Sequence, residues 1–188
     1  MLVVRAACIV LLLFSSVPAT AGEDLPALVG NADHVILLRH AKAPGTGDPP
    51  NFRLGDCSTQ RNLSREGREQ AVRIGARLRA AGLASTTVYS SQWCRSLETA
   101  RNLAVGPVVE LSVLNSFFQS PELKQKHDRL LRAWIASADL SRPVVLVTHQ
   151  VNITALTGIV PAEGEILILR RDSGKLSVVA RYPENGQR

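Results

Sequence analysis

The chain has 188 residues, with 22 Lys+Arg against 16 Asp+Glu and a formal net charge of +6. That length fits one domain or two small ones, and a hydrophobic content of 45% excludes a chain too polar to fold. The basic balance favours anionic partners but does not choose among nucleic acid, lipid and phosphate ester.

The first 21 residues read as a secretory signal. Arg5 gives a positive start, 6–14 form a short apolar run, and Ala19-Thr20-Ala21 is an A-x-A cleavage site. The apolar run is too short to span a bilayer; the alternative is a retained N-terminal anchor. Cys8 has no lipidation context. Cleavage would leave Cys57 and Cys94, and an even count in an exported chain points to a disulfide, against two buried thiols.

Residues 22–33 form a polar lead-in. Val35-Ile36-Leu37-Leu38 is a buried strand that ends abruptly in Arg39-His40. The stretch 41–62 is rich in Pro and Gly, and a loop that long in a compact domain is usually functional or disordered. Its "PGTGDPP" lacks the Gly-Lys-Ser/Thr ending of a phosphate loop. Ser64 is a good N-cap for a helix striped by Gly67, Ala71, Ile74 and Leu78 and stopped by Gly82. The arginines on its other faces read as a solvated surface or, more sharply, a basic face.

"TTVYSS" (86–91) is a second strand, and 93–103 a helix that carries Arg95. Residues 108–114 are strand-like, and Leu123, Leu130, Leu131, Trp134 and Ile135 stripe a further helix. "PVVLVT" (143–148) is another buried strand, ending in Thr148-His149. Residues 165–170 and 176–181 flank Asp172-Ser173-Gly174, a closing hairpin. Strands alternating with helices make an α/β sandwich.

Three strands thus end in polar groups: Arg39-His40, Ser90-Ser91 with Arg95 just beyond, and Thr148-His149. Open α/β sheets bind ligands beyond the carboxyl ends of their strands. A guanidinium fork matches two phosphate oxygens, a neutral imidazole is a nucleophile, and a second imidazole N–H can steady transition-state charge. His34 and His127 have no motif around them and are expected at the surface. Four histidines without close-spaced ligand pairs do not suggest zinc, so neither metal nor cofactor is expected.

"LRHAK", "LSREGREQA", "SSQWCRSLETA" and "VTHQVN" together resemble the histidine phosphatase (phosphoglycerate mutase-like) superfamily across about 35–157. "DCSTQRNLS", "WCRSLETA" and "LNSFF" are similar to its small exported branch, which includes lipopolysaccharide core heptose phosphatases. The resemblance implies a three-layer α/β/α sandwich with a mixed central sheet, from residue 22 to 188. It implies His40 as the nucleophile and Arg39, Arg95 and His149 as phosphoryl-binding catalytic residues. Ser64 and Gln70 would be structural, and Glu98 and Thr99 would orient Arg95. The implied function is a periplasmic or secreted phosphomonoesterase acting on a sugar or glycolipid phosphate, without nucleic acid or stable membrane insertion. The alternatives are a non-catalytic phosphate-binding envelope protein and a phosphohistidine or phosphoramidate hydrolase. The sequence leaves the oligomeric state open.

The proton donor departs from the family pattern. Ser116 and Gln150 stand where relatives carry an acid, so Glu122 is the candidate, with Asp48 and Asp56 of the loop behind it. The bland alternative is that Glu122 only begins the helix after Pro121.

Overall fold

The computed structural model describes residues 25–83 and 85–183. The expected secretory segment lies outside the described residues. In chain order the elements are α1 (Leu25–Val29), β1 (His34–Arg39), α2 (Arg65–Ala80), β2 (Val88–Ser90), α3 (Cys94–Leu103), β3 (Val108–Glu110), α4 (Lys124–Ser137), β4 (Val144–Thr148), α5 (Gln150–Thr157), β5 (Ile166–Asp172) and β6 (Lys175–Tyr182). Two of them escape the sequence pattern. α1 sits in the expected polar lead-in, and α5 is too apolar and short to show a polar face.

The six strands form one mixed sheet in the order β3-β2-β4-β1-β5-β6. β1 and β2 both run parallel to β4, while β5 and β6 are antiparallel additions. The last two form the expected hairpin, turning at Ser173 and Gly174, both with positive φ.

The sheet is buried on both faces because its central strands are apolar on both. Ile36 and Leu38 of β1 pack with Leu28, Ile74, Leu78, Ala100 and Leu103 of α1, α2 and α3. Val35 and Leu37 point the other way, into Leu131, Ile135, Ile153 and Leu156 of α4 and α5. A period of two thus divides one strand between two cores and makes three layers.

Two glycines set the position of α2. A Cβ on Gly67 would lie 2.0 Å from the Lys42 carbonyl oxygen, and one on Gly75 would lie 2.0 Å from that of Leu103. The first lets α2 press against the chain just after β1; the second seats it on the end of α3. Several of the α2 arginines have partners within the chain. Arg65 pairs with Glu69 and Arg68 with Glu98, Arg77 lies over the Tyr182 ring, and Arg79 donates to Leu103 O. His34 also differs from expectation: it is 7% exposed and opens β1.

Candidate active site

β1 and β4 stay in register to their ends. Arg39 is opposite Thr148, and the ladder continues one step as His40 N–H donates to Thr148 O at 2.9 Å. Ser91 N–H donates to Val147 O at 3.0 Å, which brings the end of β2 to the same edge. Arg39, His40, Arg95 and His149 therefore line one cleft.

His40 is 2% exposed, and its Nδ1 lies 2.8 Å from Ala41 O. A carbonyl oxygen only accepts, so Nδ1 carries the proton and Nε2 keeps its lone pair. Burial pushes the His40 pKa well below its ordinary value and the charge of Arg95 pushes it further; the Ala41 hydrogen bond opposes them, and Arg39 and Arg61 lower it again. The imidazole is thus neutral at ordinary pH, with a lone pair on Nε2. Its surroundings are fixed by Thr99, whose Oγ1 accepts from Ala41 N–H at 3.0 Å while donating to Arg95 O at 2.7 Å. Gln70 accepts from Lys42 N–H at 2.8 Å and donates to Glu163 O at 2.9 Å. Ser64 caps α2 by accepting from Gly67 N–H. Glu98 is taken up by Arg68, tying α3 to α2 rather than orienting Arg95 directly.

His149 meets the His40 ring edge-on, with centroids 5.4 Å apart. Its Nε2 lies 2.8 Å from Ser91 Oγ and 3.4 Å from Ser96 Oγ. The Ser91 hydroxyl also donates to Asn115 Oδ1 at 3.3 Å, and the buried Nδ1 of His149 has no hydrogen-bond partner among the described residues. Burial, then the arginines and His40, hold this pKa low as well.

Both expected arginines are anchored at their Nη ends and keep a buried, unpartnered Nε. Arg39 Nη1 donates to Pro161 O at 2.9 Å, and its Nη2 lies 3.6 Å from Glu163. Arg95 is gripped by Asp48, Nη1 to Oδ1 at 2.7 Å and Nη2 to Oδ2 at 3.2 Å. Sequence reasoning missed a third guanidinium in the cleft, Arg61, which is bound to Gly47 O at 2.9 Å and to Ala43 O. It also missed Glu163, which reaches Arg39, Arg61 and Ala43 N–H. The available signal for Arg61 was its place just before the Leu63-Ser64 start of α2.

Cys57 and Cys94 form a disulfide with Cα atoms 5.7 Å apart, joining the 41–62 loop to the start of α3 beside Arg95. Of the two expected states, a disulfide or two buried thiols, the structure holds the disulfide.

The candidate acids fare differently. Glu122 is exposed in the short 3₁₀ turn Pro121–Leu123 and does not line the cleft. It opens the turn ahead of α4, as the bland alternative held. Asp56 caps the turn Cys57–Thr59 through Ser58 N–H, and it too lies outside the cleft lining. Asp48 is the one carboxylate among the residues lining the cleft. Burial alone would raise its pKa, but the hydrogen bonds and charge of Arg95, with Trp93 Nε1–H and Arg61 N–H, outweigh that and lower it. It is an ionised partner of Arg95 and no proton donor. Ser116, which stands where the resemblance leads one to expect an acid, lines the cleft.

Residues 35–117 match a family model described as the histidine phosphatase superfamily (branch 1). No curated protein matches the sequence. Among solved structures, the product of the open reading frame Rv3214 from Mycobacterium tuberculosis superposes with a TM-score of 0.59 at 20% identity, over 78% of this chain and 95% of that one. The protein histidine phosphatase SixA complexed with tungstate gives a TM-score of 0.55 at 14% identity, over 79% and 95%. The mycobacterial glucosyl-3-phosphoglycerate phosphatase Rv2419c complexed with VO3 gives 0.55 at 18%, over 78% and 97%. The structural likeness is one of fold, shared by the three-layer sandwich and its mixed sheet. The sequence match covers the segment that carries Arg39, His40 and Arg95, while His149 lies beyond it.

Proposed function

We propose that the chain cleaves its phosphoester through a phosphohistidine on His40. The Nε2 lone pair attacks phosphorus, the P–O bond to the leaving group breaks, and the departing oxygen takes a proton from water. A water molecule then attacks the phosphohistidine, the P–N bond breaks, and inorganic phosphate leaves with imidazole restored. Arg39, Arg95 and His149 hold the phosphoryl oxygens through both steps. The observation that carries the reading is the tautomer of His40: a buried neutral ring with its bare nitrogen in a cleft of guanidiniums.

The substrate follows from the leaving group. A sugar or glycolipid phosphate in an exported compartment is the reading the sequence favours, and the disulfide suits an oxidising compartment. A sugar alkoxide, however, departs about 10²–10⁴-fold faster with a positioned acid. Asp48 is ionised in the cleft and Glu122 lies outside it, which favours a second reading: a phosphoramidate, or another ester whose leaving group needs little help. The SixA and Rv2419c structures are described as a protein histidine phosphatase and a sugar-phosphoglycerate phosphatase, one of each kind.

The test is phosphate release from p-nitrophenyl phosphate, phosphoramidate, sugar phosphates and lipopolysaccharide fragments, with His40→Ala as the blank. Turnover of at least one by wild type and none by His40→Ala is expected, with acid-labile, base-stable phosphate on His40. Full activity in His40→Ala would overturn the mechanism. Phosphate binding by wild type without any turnover would instead make the chain a phosphate-binding envelope protein.

A further inference from the structure

Asp48 is the one carboxylate among the residues lining the cleft, and both of its oxygens are bound there. Its side chain is 4% exposed and that of Arg95 is 3% exposed. Oδ1 accepts from Arg95 Nη1 and Arg61 N–H, and Oδ2 accepts from Arg95 Nη2 and Trp93 Nε1–H at 3.0 Å. All of this comes from a loop, in a region lined by groups suited to a phosphate dianion. A carboxylate there competes in charge with the substrate.

The geometry of a guanidinium resolves the conflict. It offers two edges: an end edge of Nη1 and Nη2, and a side edge of Nε and Nη2. Asp48 takes the end edge with both oxygens, and Arg61 O takes a remaining Nη1 proton at 3.4 Å. The side edge remains, with its Nε–H buried and unpartnered. Two parallel N–H groups on that edge match two phosphoryl oxygens. Arg39 repeats the pattern: its end is anchored by Pro161 O and Glu163, and its Nε is likewise buried and unpartnered.

We propose that Asp48 is a positioning residue that clamps Arg95 end-on, so that the side edge of the guanidinium alone faces the phosphoryl group. This rests on the phosphoryl-binding reading of the cleft. A loose Arg95 has several rotamers and can present either edge; the clamp removes that choice before substrate arrives, so less order is lost on binding. One carboxylate against three cleft guanidiniums also tempers the hold on the product dianion. The disulfide from Cys57 to Cys94 and the Gln60 Oε1 contact to Cys94 N–H at 3.0 Å keep the loop on the Arg95 helix.

The test is Asp48→Asn with p-nitrophenyl phosphate as substrate and inorganic phosphate as competitive inhibitor. The amide keeps one acceptor but cannot take both Nη groups. The expected result is a fall in kcat/KM of roughly 10- to 100-fold with weaker phosphate inhibition, and partial recovery in Asp48→Glu. In an Arg95→Lys background, where no fork remains to orient, the same substitution should change kcat/KM less than about twofold. A merely structural Asp48 would give effects that multiply across the two backgrounds, and that result overturns the clamp. So does faster turnover with tighter phosphate binding in Asp48→Asn, which would make the carboxylate a plug. If Asp48→Asn does not fold, Trp93→Phe removes one of its donors; a loss of a few-fold in the same direction supports the clamp, and wild-type kinetics overturn it. Wild-type protein that neither turns over the aryl phosphate nor binds phosphate would instead overturn the reading of the cleft itself.

Discussion

The edge of the sheet and the 41–62 loop build the same cleft by opposite means. At the edge, burial does the placing: residues 35–38 of β1 are fully buried, Val144–Thr148 are buried throughout, and His40 and His149 follow directly. In the loop the one regular element is the turn Cys57–Thr59, and the chain is held by polar stitches. Arg61 donates to Gly47 O and Gln60 to Arg53 O at 2.9 Å each, and the disulfide closes the rest. The edge supplies His40, the proposed nucleophile, and its imidazole partner His149; the loop supplies the charges around them. The first should be insensitive to reductant, and the second should depend on each stitch.

The largest effect should come at the edge. His40→Gln keeps a polar side chain of similar size but has no nucleophilic nitrogen. It should lose turnover by at least ~10³-fold while its melting temperature changes little. Thermal unfolding beside phosphate release checks both. A large loss of stability with residual turnover would mean that the ring is needed for packing rather than chemistry.

The loop should respond to reduction. The disulfide spans a sequence separation of 37, which in the chain-entropy model is worth about 3–4 kcal/mol. Reduced protein should melt about 8–15 °C lower, given roughly 2–4 °C per kcal/mol at this size. Turnover at low temperature should fall by much less than in His40→Gln, since His40 and His149 stay on their strands. Equal melting temperatures with and without reductant would show that the polar stitches suffice.

This division also decides what was legible in the sequence. β1 and β4 could be read because a buried strand has a continuous apolar run, and Arg39-His40 and Thr148-His149 stand out by breaking it. Arg95 could be read from its helix and the motif around it. Arg61 and Asp48 could not, because a loop held by side-chain-to-backbone bonds has no period. Asp48 suggested an acid, since composition shows a carboxylate but not the guanidinium it will meet. α5 was hidden because residues 150–157 contain few charges, although Gly158 was a readable stop: it ends the helix with φ 76°. Glu122 failed for a different reason. Distance along the chain to the Asn115-Ser116 bend said nothing about the direction of the turn, which carries the side chain outward.

The last effect separates the two regions by titration. His40 and His149 are buried with pKa values pushed well below the ordinary value of about 6.5 by burial and then by the arginines. The unfolded chain takes protons on these rings as pH drops through 6.5, while the folded chain does not. The unfolded state therefore binds more protons, so stability falls as pH falls below about 6.5, by up to ~1.4 kcal/mol per pH unit for each ring. His127, also lowered by burial, adds in the same direction. Asp48 has a lowered pKa as well, but as an acid: its contribution is complete above the ordinary carboxylate range and is lost only as pH falls through it. The edge should thus lose stability between pH 6.5 and 5, and the loop only below about pH 4. Urea unfolding midpoints from pH 7.5 to 3.5 resolve the two windows. In His40→Gln the slope between pH 6.5 and 5 should shrink, and in Asp48→Asn the slope below pH 4 should shrink while the upper one stays. For the free enzyme, kcat/KM should stay level as pH falls past 6.5, because the nucleophile is still neutral there. A midpoint independent of pH from 7.5 to 5, or a kcat/KM that halves at 6.5, would show that these rings titrate as exposed histidines do. In that case the buried neutral His40 on which the chemistry depends is wrong.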